Sequence, residues 1–153
     1  MSKIFQNFLE GYGTDVDFKL LFYVLPIILN KDSRRRLIKA NKASKLETVF
    51  KKENYKEYSD IKLSAQSNLS GFKDKFIELK DLTKTTIIIL VNEEKIIIGN
   101  SVMLLKTDNY SNYKDPDIVS LLRSSFYLGV IFNKSRVEQL DYYLGVKNNW
   151  EAI

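Results

Sequence analysis

The run "FKLLFYVLPIILN", residues 18 to 30, sets the tightest limit on how this chain can fold. It is apolar on nearly every side, so as a helix it has no face to give to water and must lie at the centre of the molecule. At about a dozen residues it is too short to cross a bilayer, which needs roughly twenty. Asp15 can cap a helix carrying Phe18, Leu20, Leu21, Phe22, Val24 and Leu25. Pro26 has no backbone donor and should kink or end it. Ahead of this run, "MSKIFQNFLEGYG" has scattered charges and no apolar stretch of signal-peptide length. We read residues 1–14 as an N-terminal extension, 15–147 as the core of a single domain and 148–153 as a tail. The expectation is a soluble, cytoplasmic protein with no membrane span.

Composition narrows the chemistry more than the fold. The chain has no cysteine, which removes disulfides and thiolate metal sites, and no histidine, the usual general base near neutral pH and the commonest metal ligand. Catalysis would have to rest on carboxylates, lysines, serines or tyrosines. No Walker motif, dinucleotide fingerprint or nucleophile elbow is present. "GYGTD" at residues 11 to 15 lacks the lysine of a phosphate loop, and the paired carboxylates of "DPD" at 115 to 117 suit a helix cap better than a metal. A non-enzymatic protein without a cofactor is the expectation.

Beyond residue 30 the pattern is helical, then briefly extended, then helical again. Ser33 can cap a short helix from Arg34 to about Ala40, and Ser44 a second one through about Lys52, with Glu47 completing a capping box. Ile61, Leu63, Leu69, Phe72, Phe76, Leu79 and Leu82 recur at mostly helical spacing across residues 59 to 92, with Gly71 the natural break. "TTIIILV" has strand propensity because its branched side chains are stiff, yet it can also finish that helix if buried. In "KIIIGNSVMLLK" two apolar runs flank Gly99-Asn100, which predicts strands at 96–98 and 102–105; the alternative pairs 87–91 with 95–98. After a polar loop, Asp115 caps a helix with Pro116 at its first position, carrying Ile118, Val119, Leu121, Leu122, Phe126, Leu128 and Phe132. Ser135 opens the last helix and Gly145 stops it. The fold class is mainly α (α+β): a helical domain with a small β-hairpin, in an order that outlines a winged helix.

Charge is unevenly spread. From Lys31 to Lys56 there are ten basic and three acidic residues, a local +7 that leaves −2 for the rest of the chain. Lys31, Arg34, Arg35, Arg36, Lys39, Lys42 and Lys45 are the candidates for contacting phosphates, by paired guanidinium hydrogen bonds and counterion release. Such contact would be blind to sequence, because no Asn or Gln is clearly placed to read bases. A solvated basic face meeting an acidic partner is the competing reading. The nine tyrosines, loosely grouped at Tyr55 and Tyr58, Tyr110 and Tyr113, and Tyr142 and Tyr143, fit core or interface use better than base stacking.

Three stretches carry a resemblance: "FKLLFYVLPIILNKDSRRRL", "SNLSGFKDKFIELKDLTKTTIIILVNEEKIII" and "SSFYLGVIFNKSRVEQLDYYLGV". Over roughly residues 15 to 147 the chain resembles the middle component of bacterial three-component ABC systems, defence cassettes related to the Lamassu type. Leu25-Pro26, Leu128-Gly129, Phe132 and Leu144-Gly145-Val146 agree in order and spacing, while Val130 and Ile131 replace a common Arg-Trp pair and Asn30 a common histidine. The resemblance implies a non-catalytic subunit that bridges an SMC-like or Rad50-like ABC ATPase subunit and an effector subunit, in anti-phage defence, with possible sequence-independent DNA contact. On this reading Leu128, Gly129 and Phe132 form a candidate partner-binding ridge, since positions four apart share a helix face; the alternative packs the same face internally on the helix that Asp15 caps. The rival function is a free-standing winged-helix DNA-binding protein.

Overall fold

The computed structural model describes residues 1–50 and 71–146, and among them the chain is mainly α-helical with one small antiparallel hairpin. The helices are α1 (Ser2–Tyr12), α2 (Leu21–Ile28), α3 (Lys31–Leu37), α4 (Leu46–Val49), α5 (Phe72–Glu78), α6 (Lys80–Asn92), α7 (Pro116–Asn133) and α8 (Val137–Leu144). Strands β1 (Ile96–Ile98) and β2 (Val102–Leu104) stand between α6 and α7, and short 3-10 turns occupy Phe18–Leu20 and Tyr110–Asn112.

As the apolar run requires, α2 is buried along its whole length, from Leu21 to Ile28. It ends two residues beyond Pro26. Its start is later than Asp15 predicts. Val16 exchanges hydrogen bonds of 2.9 and 2.7 Å with Val102 and so adds a one-residue bridge to β2. That pairing holds the chain extended through Val16, and Asp17 instead caps the first turn, accepting from the Lys19 N–H at 2.9 Å. Asp15 accepts from the Ser101 hydroxyl at 3.2 Å.

The segment set apart as an N-terminal extension is α1, a core helix. Ile4, Phe5, Phe8 and Leu9 form its buried stripe. Its partner is α7, in the most extensive helix pair among the described residues. Two glycines allow the approach. A Cβ on Gly129 of α7 would lie 2.1 Å from the Phe8 carbonyl oxygen and 2.7 Å from the Tyr12 nitrogen. One on Gly11 of α1 would lie 1.8 Å from the Phe126 carbonyl oxygen. The two backbones therefore touch at a distance that no side chain permits. Phe8 meets Phe132 edge to face, with ring centroids 5.6 Å apart, and Asn133 donates to the Tyr12 carbonyl at 2.7 Å.

Polar side chains of α1 tie down the loop before α7. Asn7 donates to the Asp108 carbonyl and accepts from the Tyr110 N–H, at 2.9 and 3.0 Å, and Gln6 donates to the Lys106 carbonyl at 3.0 Å. Lys3 and the Tyr113 hydroxyl converge on the Asp108 carboxylate, at 2.7 and 2.6 Å. At the other end, buried Asp141 of α8 accepts from both Lys19 and Tyr23 and pins the last helix to the first half of the chain.

Several local expectations change. Asn30, in extended backbone, caps α3 by accepting from the Ser33 N–H at 3.0 Å, so Ser33 lies inside the helix. Lys45 occupies the cap position of α4, where the described part runs only from Leu46 to Val49. Arg136 precedes α8, its N–H donating to Gln139 at 3.0 Å, and Ser135 lies one residue outside. Residues 87–91 are helix, which removes the alternative hairpin. The predicted strands appear at 96–98 and 102–104, with Ile97 opposite Met103. Asp115 caps α7, accepting from the Asp117 and Ile118 N–H groups at 2.9 and 3.4 Å, and Gly145 stops α8 at a positive φ of 72°. Ile61, Leu63, Leu69, Tyr55, Tyr58 and the end of the second basic helix fall outside the described residues.

The Gly129→Ala variant gains about 1 kcal/mol of helix propensity but must push two backbones apart, at a cost of up to about 3 kcal/mol. Its urea midpoint should fall, despite alanine's better propensity. Burial raises the Asp108 carboxyl pKa, but the hydrogen bonds from Lys3 and Tyr113 outweigh it and hold the group below its ordinary value. A depressed folded pKa stabilises above the unfolded value, near 3.8, and the benefit fades as pH falls through the folded one. Wild type should therefore exceed Asp108→Asn in urea midpoint at pH 6, with the gap closing in stronger acid.

Candidate interaction surfaces

Among the described residues no group of three or more Asp, Glu, His or Cys side chains could hold a metal ion. None of the described helices is long and apolar enough to cross a membrane. What the structure does build is two exposed surfaces of different chemistry.

The first is basic and follows from α3. Arg34 is turned inward, donating to the Ile28 carbonyl at 3.0 Å and so satisfying the end of α2. Arg35 and Arg36 both reach Asp32, one turn earlier, at 2.6 and 3.4 Å. Lys31, Lys39, Lys42 and Lys45 are exposed, on α3 and on the loop leading to α4. Of the seven predicted cations, Arg35, Arg36 and Lys39 are brought to one cleft of about 420 Å³, together with Ser44 and Thr48. Sequence reasoning missed the residues that shape the loop. Arg123 of α7 donates to the Ile38 and Ala40 carbonyls at 2.8 and 3.0 Å, and Lys134 to those of Lys42 and Ser44, the latter at 2.7 Å. Some ninety residues separate them from the loop, and nothing local in the sequence signals the contact.

The second surface is apolar and lies on α6 and the hairpin. Thr83, Thr86, Ile87 and Leu90 give α6 its buried face. Ile88 and Ile89 point elsewhere and stay exposed, Ile88 by 59%. The hairpin begins directly at the helix end, where the Lys95 N–H donates to the Leu90 carbonyl at 2.9 Å. Strand alternation then turns Ile96 and Val102 into the core and Ile97, Met103 and Leu105 outward, each about half exposed. The ladder leaves one edge open. Lys95 bonds to the Leu105 N–H and Gly99 to Ser101, so by alternation Ile97 faces Met103, and the backbone groups of Ile96 and Ile98 point away from β2.

Leu128, Gly129 and Phe132, the expected partner-binding ridge, are wholly enclosed. That face packs internally, as the alternative held, with Gly129 and Phe132 against α1. The tyrosines divide similarly: Tyr110 packs edge to face on Phe126 at 5.5 Å, and Tyr113 is held by Lys3 and Asp108. Tyr143 lines a shallow depression of about 340 Å³ with Leu46, Glu47 and Tyr142. Burial, then the nearby Glu47 charge, pushes its hydroxyl up to about 12.

A scan against protein families matches residues 1–148 to the model described as ABC-three component (ABC-3C) system Middle Component 3. No curated protein and no solved structure matches. The match begins at the first residue and so takes in α1, which the sequence resemblance had left out. With 148 of its residues matched, the chain belongs to the Middle Component 3 family of ABC-three component systems.

Proposed function

We propose that this chain is a cytoplasmic, non-catalytic subunit of an ABC ATPase-driven anti-phage defence complex, joining an SMC-like ATPase to an effector subunit. A middle component of a multi-component system implies partner subunits. The observation that carries the reading is the exposed apolar surface of α6 and the hairpin. Leu82, Ile88, Ile89, Val91, Ile97, Ile98, Met103 and Leu105 are all exposed, and apolar exposure concentrated in one stretch of chain is uncommon on proteins that work alone. The open edge of β1 adds a second recognition element, because an incoming strand could extend the ladder while Ile97 and Met103 fill its side-chain pockets.

The free-standing winged-helix reading draws support from two features. A hairpin follows α6, and the Val16 bridge to Val102 supplies a third short strand beside it. Against it stands the chemistry of the helix next to that hairpin. A helix entering a DNA groove presents basic and polar side chains, whereas α6 exposes Leu82, Ile88 and Ile89. Contact with DNA is better supported at the basic α3 face, where it would be sequence-blind and secondary to assembly.

Ile97→Lys with Met103→Lys places two charges on the outward face without touching the core. The doubly substituted protein should keep wild-type helical content, since both side chains are exposed. Its co-purification with the ATPase and effector subunits of the same system should fall by about tenfold, the effect of losing a central apolar contact. Undiminished recovery of the complex would show that the partners dock elsewhere.

A further inference from the structure

We infer that the cleft between α3 and α4 is a binding site for a phosphate group, held by Arg35, Arg36 and Lys39 and by the hydroxyls of Ser44 and Thr48. The inference rests on the reading that the basic segment meets phosphates, and deepens it from a charged face to a formed site. Its walls carry three cations, and among the described residues no carboxylate lines them. Asp32 sits outside the cleft and fixes the guanidinium groups from one turn back, at 2.6 and 3.4 Å. Arg36 is the less exposed of the two, its side chain at 13% against 69% for Arg35. A planar guanidinium held in this way offers paired donors to tetrahedral oxygens, which a mobile lysine does not.

The loop backbone is arranged to suit an anion. Carbonyl oxygens of Ile38, Ala40, Lys42 and Ser44 are engaged by Arg123 of α7 and by Lys134 at its C-terminal cap, so those of Ala40 and Ser44, which line the cleft, are not left to repel an anion. Ser44 Oγ accepts from the Asn41 N–H at 2.9 Å, which leaves its own proton to donate. At about 420 Å³ the cleft is larger than one phosphate. It has room for a sugar-phosphate unit, so the source is either a nucleic-acid backbone or a free nucleotide.

The test uses the full chain with a labelled DNA duplex of arbitrary sequence, read by fluorescence anisotropy over a range of NaCl, and in parallel ATP read by calorimetry. Binding of the duplex with a steep salt slope identifies the backbone as the source; binding of ATP alone identifies the nucleotide; either supports a phosphate site. Arg35→Gln with Lys39→Gln should then weaken the bound ligand by about tenfold and, for the duplex, reduce the salt slope by about two. Lys31→Gln, which removes an exposed charge outside the cleft, should lower that slope by no more than about one. Arg36→Lys keeps the charge and loses the planar fork, so it too should weaken binding. If duplex DNA binds and the Arg35, Lys39 double variant loses no more than Lys31→Gln, the cleft is refuted while diffuse DNA contact stands. If neither duplex nor ATP binds, both the cleft and the DNA reading fall, and assembly with partner subunits is untouched.

Discussion

Backbone contact between α1 and α7, made possible by Gly11 and Gly129, is the constraint on which the rest of the molecule is arranged. Two helices that close leave little room for side chains between them, and Phe8 of one meets Phe132 of the other edge to face. The pair then acts as a beam. From α1, Gln6 and Asn7 hold the loop ahead of α7; Arg123 of α7 and Lys134 at its C-terminal cap hold the loop ahead of α4. Each loop is fixed by hydrogen bonds from a rigid helix, which is how a small chain can present irregular backbone in one shape.

That arrangement separates what is structural from what is displayed. The apolar run at 21–28, α1 and the inner face of α7 take up the core. The exposed apolar positions of α6 and the hairpin then remain outside, and the basic side chains of α3 and its following loop lie on a different part of the chain. Family membership as a middle component supplies the reason such surfaces would persist. A protein that works within an assembly has its apolar face covered there.

Much of this was legible from residue patterns. Pro116 after Asp115 fixed the start of α7, Gly145 the end of α8, and Gly99-Asn100 the hairpin, because each signal acts within a few residues. The caps of the first turn and of α3 are near misses of the same kind: two nearby acceptors compete, Asp15 with Asp17 and Ser33 with Asn30, and tertiary pairing at Val16 or extended backbone at Asn30 decides. Long-range features were hidden. Nothing in "MSKIFQNFLEGYG" announces that its Gly11 meets Gly129, more than a hundred residues later, so residue pattern alone sets the segment apart from the core. For the same reason the residue pattern presents Gly129 as an opening toward a partner, whereas it makes a backbone contact inside the core. The basic cluster was visible as charge, but its division into an inward Arg34, a cleft and exposed lysines depends on geometry alone.

In the proposed function this chain presents the α6 and β-hairpin surface to another subunit. Amide hydrogen exchange, measured on the isolated protein and on the assembled complex, tests it most directly. The account predicts rapid exchange at Ile96 and Ile98 in the free chain and strong protection of residues 82–105 once the partners are bound. Unchanged exchange across those residues, in a complex that has demonstrably formed, would contradict it.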